Sequence, residues 1–189
     1  MTGSVRRVVT GTAPDGRAFV AADEQVDALT VAAMPGAEFV RLWGADGPPV
    51  LPDPGDPRPT PEYFPPPGGY RCYFVTLPPV STTPPEDPGP GPGPGAGARA
   101  AAAAELATKL PGLAELMDPD HPGMHASATV DWNIVLDGEV WLELAGGDAV
   151  LLRAGDSAIV HGGSHAWRNA LARPCRLATV SLGCASDPE

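Results

Sequence analysis

The stretch His125-Ala126-Ser127-Ala128-Thr129-Val130-Asp131-Trp132-Asn133-Ile134-Val135-Leu136-Asp137-Gly138 decides how this chain is read. Successive side chains of an extended segment point to opposite faces. Val130, Trp132, Ile134 and Leu136 therefore share one face, and His125, Ser127, Thr129, Asp131 and Asn133 share the other. A strand with apolar side chains on one face and metal-capable or acid-base side chains on the other belongs to a sheet covered on both sides. In a small barrel the polar set lines the cavity.

Working outward, Gly138 turns the chain, and Val140, Leu142 and Leu144 then alternate with Trp141 and Glu143. Gly146-Gly147-Asp148 is hairpin-turn chemistry, and Ala149 to Leu152, Ser157 to Val160 and Arg176 to Leu182 read as further strands. Between them lies a second polar block, Gly155-Asp156 followed by Gly162-Gly163-Ser164-His165-Ala166-Trp167-Arg168-Asn169, in which His165, Trp167 and Asn169 share a face. Short antiparallel strands at this spacing favour a barrel or sandwich, because closure removes exposed edges.

The N-terminal part supplies more strands. Val5 to Thr10 and Ala18 to Val20 flank Pro14-Asp15-Gly16 and predict a hairpin, while 38–44 and 69–77 predict two further strands. Pro48 to Pro67 is too rich in proline to donate a ladder of hydrogen bonds, so it is expected to lie extended over the surface. The Pro-Gly repeat from Pro88 to Gly95 has nothing apolar to bury and reads as a disordered linker; 84–97 as a whole is expected to be mobile and dispensable. From Arg99 to Met117 a polyalanine run and Leu106, Leu110, Leu113 and Leu116 predict a short helix, broken at Pro111-Gly112, that packs on the barrel or caps its mouth.

Composition narrows the function classes. With 12 Lys and Arg against 23 Asp and Glu, a formal net charge of −11 argues against nucleic-acid binding, which needs clustered cations. No apolar run reaches the length of a membrane span and no signal-peptide core follows Met1, so the expectation is a cytoplasmic protein with no membrane partner. Three cysteines without a CxxC spacing predict reduced thiols, with Cys72 and Cys175 in the core, rather than a disulfide framework or structural zinc.

The two polar blocks resemble the conserved motifs of the cupin superfamily, in particular its small single-domain bacterial and fungal members. The resemblance covers His125 to Leu182, about a third of the chain. It implies an all-β fold, a double-stranded β-helix or jelly-roll barrel, here with an N-terminal β extension and one short helix in an insertion. The implied organisation is 1–83 for strands completing the barrel, 84–122 for linker and helix, 123–183 for the motif core and 184–189 for a tail. It also implies a divalent metal, Fe, Mn or Zn, held by His125, Asp131 and His165, with Asp131 in a position the family fills with glutamate. Ser127 stands where the family has its second histidine, which removes a ligand. Asp131 and His165 are the implied catalytic groups, and Ser127, Asn133, Trp167 and Asn169 the implied pocket residues.

Two functions stay open. One is binding and transformation of a small organic molecule by a metal-dependent lyase, decarboxylase, dehydratase or oxygenase-type cupin. The other is a metal-free, non-catalytic ligand-binding or sensory cupin, for which Ser127 marks the loss of metal. A homodimer is implied by resemblance in both. His121 and His161 read as structural histidines, Trp132, Trp141 and Trp167 as packing residues with Trp167 also placed to wall a pocket, and Asn169 equally as a turn-former.

Overall fold

The computed structural model of the protein describes residues 3–79 and 95–185. Most of the 84–97 linker, and four residues of the 184–189 tail, lie outside the described residues. Among the described residues, ten strands, one α-helix and a single 3-10 turn make up the regular structure. The strands are β1 (Ser4–Thr12), β2 (Ala18–Asp27), β3 (Glu38–Ala45), β4 (Tyr70–Leu77), β5 (Thr129–Asp137), β6 (Glu139–Leu144), β7 (Ala149–Arg153), β8 (Ser157–His161), β9 (His165–Arg168) and β10 (Cys175–Gly183). Helix α1 is Ala96–Lys109, and the 3-10 turn, Ala114–Leu116, follows the Pro111-Gly112 break.

A five-stranded sheet in the order β3-β4-β10-β5-β8 faces a three-stranded sheet in the order β7-β6-β9, with all pairings antiparallel. This is the expected double-stranded β-helix, formed as two sheets packed face to face. Between them Val135, Val140, Leu142, Leu152, Val160, Cys175 and Leu177 form one buried cluster. Strands β5 and β6 are joined at Gly138, whose φ of 79° is open to glycine; a Cβ there would lie 2.6 Å from the Pro174 carbonyl oxygen.

Strands β1 and β2 pair only with each other, as a separate hairpin, so the N-terminal contribution to the main sheet comes from β3 and β4. The segment expected to lie extended over the surface does more than that. Tyr63 leaves it to enter a second buried cluster with Val31, Phe39, Tyr73, Val75, Leu106, Leu110 and Leu113. The segment is tied back by Gly68 N–H to the Gly183 carbonyl and Gly183 N–H to the Gly69 carbonyl, both at 2.9 Å. Helix α1 starts before the expected Arg99 and lays Leu106 and Leu110 into this cluster.

The expectation of cover on both faces of the sheet needs correction for the single chain. Trp132 is 56% exposed, and Ile134, Leu136, Ile159, Val180 and Leu182 are also open to solvent. The inner face is filled by the two clusters and by polar side chains, and among the described residues the apolar outer face has no covering layer. Cys175 is in the core, while Cys72 and Cys184 are half-buried; all three are free thiols.

Candidate functional site

The site is built on one backbone contact. His125 N–H donates to the His165 carbonyl and His165 N–H donates to the His125 carbonyl, both at 3.0 Å, as in a hydrogen-bonded antiparallel pair. Directly opposed residues send their side chains to the same side, so the imidazoles meet with ring centroids 4.4 Å apart. The Nδ1 atoms are anchored alike, 3.3 Å from the Gly123 carbonyl for His125 and 2.8 Å from the Gly163 carbonyl for His165. A carbonyl only accepts, so in the neutral rings Nδ1 carries the proton and Nε2 is left as an acceptor.

Both histidines line a cavity of about 160 Å³ together with Asp131, Asn133 and Trp167. Phe39, Phe64, Val75, Met117 and Leu177 give it apolar walls. Strand register supplies the polar floor: β10 sets Thr179 opposite Asn133 and Ser181 opposite Asp131. Thr179 donates to Asn133 Oδ1 at 2.8 Å, and the Tyr73 hydroxyl lies 3.0 Å from Ser181 Oγ. Asp131 is buried, and its Oδ1 has no hydrogen-bond partner among the described residues.

Electrostatics follows from this burial. Desolvation first, and the neighbouring His165 second, hold the pKa of His125 below the ordinary histidine value, against the opposing pull of the Gly123 carbonyl and Asp131. Burial pushes the Tyr63 phenol well above its ordinary value, with Tyr73 adding to the effect, and it raises Tyr73 as well. Near neutrality the pocket therefore holds a neutral His125 and protonated phenols. It is rich in acceptors: two Nε2 atoms and an unpaired carboxylate oxygen.

The expected pocket residues separate in space. Trp167 stands edge-on to His165 with centroids 6.1 Å apart. Ser127 is buried away from the cavity lining and sits 2.6 Å from Thr129 Oγ1. Asn169 donates to the Leu77 and Arg173 carbonyls and accepts from Leu171 N–H, clamping the loop before β10. His121 is exposed beside Asp118 at 3.0 Å, and His161 is exposed on β8. Tyr63, Tyr73, Thr179 and Ser181 went unnoticed in the sequence. The alternation Arg71, Tyr73, Val75 on β4 and Leu177, Thr179, Ser181 on β10 was the available signal.

The donor types of His125, Asp131 and His165 suit a divalent cation, and the orphaned Asp131 Oδ1 suits one too. Among the described residues no group of three or more His, Cys, Asp or Glu side chains stands ready to hold a metal ion, so these three would have to draw closer together to bind one.

No protein-family model matches the chain. It is similar to the Oryzines biosynthesis cluster protein J of Aspergillus oryzae, 42% identical over 65 residues, which are 32% of this chain and 36% of that protein. It is likewise similar to the Phomopsin biosynthesis cluster protein C' of Diaporthe leptostromiformis, 42% identical over 65 residues, 32% of this chain and 34% of that protein. The chain thus spans about a third of the length of these curated relatives. Among solved structures it is similar to the Schizosaccharomyces pombe Cnp3 cupin domain, with a TM-score of 0.46, 9% identity, and coverage of 97% of this chain and 89% of that one. No described helix is long and apolar enough to cross a membrane. The facing sheets in this strand order, with the two motif blocks brought together at the His125–His165 pair, have the double-stranded β-helix arrangement that the resemblance to cupins implies.

Proposed function

We propose that the cavity beside His125, Asp131 and His165 binds a small, largely apolar organic molecule that carries hydrogen-bond donors, and moves a proton on it. One observation carries this reading: three acceptors converge on an apolar-walled cavity, and the Asp131 Oδ1 among them is buried with no partner among the described residues. A buried acceptor without a donor is costly by about 1–3 kcal/mol, so an O–H or N–H on the ligand is stabilised where it meets Asp131. The same carboxylate is placed to act as a base, and the neighbouring neutral imidazole to receive or return the proton. Proton transfer of this kind fits a lyase, decarboxylase or dehydratase. The names of the two relatives support a ligand drawn from small-molecule biosynthesis.

The test is exchange of acidic C–H protons with deuterated solvent, followed by NMR over a panel of small enolisable acids and ketones. Exchange catalysed by the wild-type chain and lost in Asp131→Asn and His165→Ala supports the reading. Binding of panel members without exchange in any of them favours the non-catalytic, ligand-binding alternative.

A second reading is favoured by the same orphaned oxygen: His125, Asp131 and His165 draw together around Fe, Mn or Zn, which would supply Lewis acidity at the ligand. Bound metal per chain after chelator-free purification checks it. We further infer that a second copy of the chain covers the outer sheet face. Ile159 lies opposite Trp132, Trp132 opposite Val180, and Val130 opposite Leu182, so the apolar face is continuous over β8, β5 and β10. A continuous patch of this kind is uncommon on monomers, and light scattering of the wild type and Trp132→Glu tests it.

A further inference from the structure

Of the chain's 12 Lys and Arg residues, Arg7, Arg41, Arg58 and Arg71 all line a single small cavity of about 70 Å³, away from the histidine pair. In a protein of net charge −11 this is a local reversal of sign. The cavity lies between the edge strand β3, the first strand of the hairpin and the proline-rich segment, with Trp43, Thr60 and Tyr73 also in its wall.

The guanidinium groups are not fully matched by carboxylates. Arg71 is 2% exposed; it donates to the Glu62, Ala45 and Tyr70 carbonyls and pairs with Asp46 at 2.5 Å. Arg58 pairs with Asp53 at 2.5 Å. Arg7 donates to the Leu42 carbonyl and to Glu24, both at 2.6 Å, stacks over Trp43 at 5.5 Å, and keeps a buried Nε–H with no partner among the described residues. Arg41 is the odd one: its acceptors are the Thr60 carbonyl and hydroxyl and the Glu62 carbonyl, none of them a carboxylate. Burial and the nearby Arg71 both disfavour its charge, in that order, leaving its pKa lowered.

Three carboxylates pair directly with these cations and Glu62 acts on Arg41 only through its charge, so an unused N–H on Arg7 and an Arg41 guanidinium hydrogen-bonded only to neutral acceptors leave the cavity short of a direct anionic partner. Guanidinium groups lining one small space suit the oxygens of a phosphate or sulfate, which accept in pairs from guanidinium. The volume excludes a ring or a sugar from the cavity itself. We propose that this cavity is a second binding site, for a small oxyanion: free phosphate or sulfate, or the phosphoryl group of a small organic molecule.

Isothermal titration calorimetry of the full chain tests it, at constant ionic strength in chloride, with inorganic phosphate, sulfate and methyl phosphate as probes. One saturable site is expected, with affinity at least tenfold weaker in Arg41→Gln and unchanged in Arg17→Gln, an exposed arginine away from the cavity. Binding of the inorganic ions alone assigns a free ion; binding of methyl phosphate as well assigns a phosphoryl group. Should Arg41→Gln lose the wild-type circular dichroism, the half-exposed Arg58→Gln carries the test, with at least threefold weaker binding expected. Absence of saturable heat with all three probes, or wild-type affinity in the folded arginine variants, overturns the site.

Discussion

Strand β5 has two faces of opposite chemistry, and they are the reverse of what burial usually selects. Thr129, Asp131 and Asn133 point inward and are buried, while Trp132, Ile134 and Leu136 point outward and are exposed. Further along the inner face the chemistry changes, and Val135 sits opposite Leu177 at 2% exposure each. One face of one strand thus serves as core at one end and as cavity wall at the other. Polar residues are tolerated inside because cross-strand partners on β10 satisfy most of them, Thr179 for Asn133 being the clearest case. The lesson is that inside and apolar need not coincide where a sheet encloses a pocket.

The comparison breaks most visibly at its apolar inner end. Leu177→Ala removes a fully buried side chain between the two sheets and is expected to cost about 2–5 kcal/mol of unfolding free energy in denaturant titration. A loss below about 1 kcal/mol would mean that the clusters do not carry the fold as their burial indicates.

At the polar end of the same face the expected stability change is smaller and the electrostatic one larger. Asp131→Asn removes the carboxylate that favours protonation of His125, so the His125 pKa, already below the ordinary histidine value, should fall further. NMR titration of the His125 ring reads this directly, and an unchanged titration would separate the two residues electrically.

A third effect is smaller still and depends on pH. His125 binds its proton less readily folded than unfolded, so the unfolded chain takes up more protons as pH falls below about 6.5, the ordinary histidine value. The His125 contribution is present above that pH and is lost as pH falls toward its lower folded pKa. Thermal unfolding midpoints should decline over this window in the wild type, and less steeply in His125→Gln. Equal slopes would assign the acid sensitivity to other groups.

The outer face should respond least. At concentrations where the chain is monomeric, Trp132→Glu is expected to change unfolding free energy by no more than about 0.5 kcal/mol, since more than half of that ring is already in water. A loss as large as that of Leu177→Ala would make the outer face part of the core and erase the contrast.

Strand positions and parity were legible because they are local. The alternation from Thr129 onward, the Gly138 turn and the strands 149–152, 157–160 and 176–182 follow from a period of two and from turn residues, and each is found as a strand or turn. The helix was legible from leucine spacing, although its start at Ala96 was not, since a Pro-Gly repeat runs up to it. The meeting of His125 with His165 was legible only through the resemblance of the two blocks to the cupin motifs.

What the sequence determined by itself was which side chains share a face, because that depends on backbone geometry alone. Whether a face is covered depends on what packs against it: the sequence placed Asp131 on the cavity side, and only the tertiary structure decided that Trp132, expected under a covering layer, stands exposed. The same holds for Tyr63, carried into the second cluster by a segment whose prolines predict only an extended path. It holds again for the four arginines, which lie far apart along the chain and meet because β1, β3, β4 and the proline-rich segment converge at one edge of the sheet. Contacts between residues distant in sequence are set by the sum of many packing and register choices, and no local pattern encodes that sum.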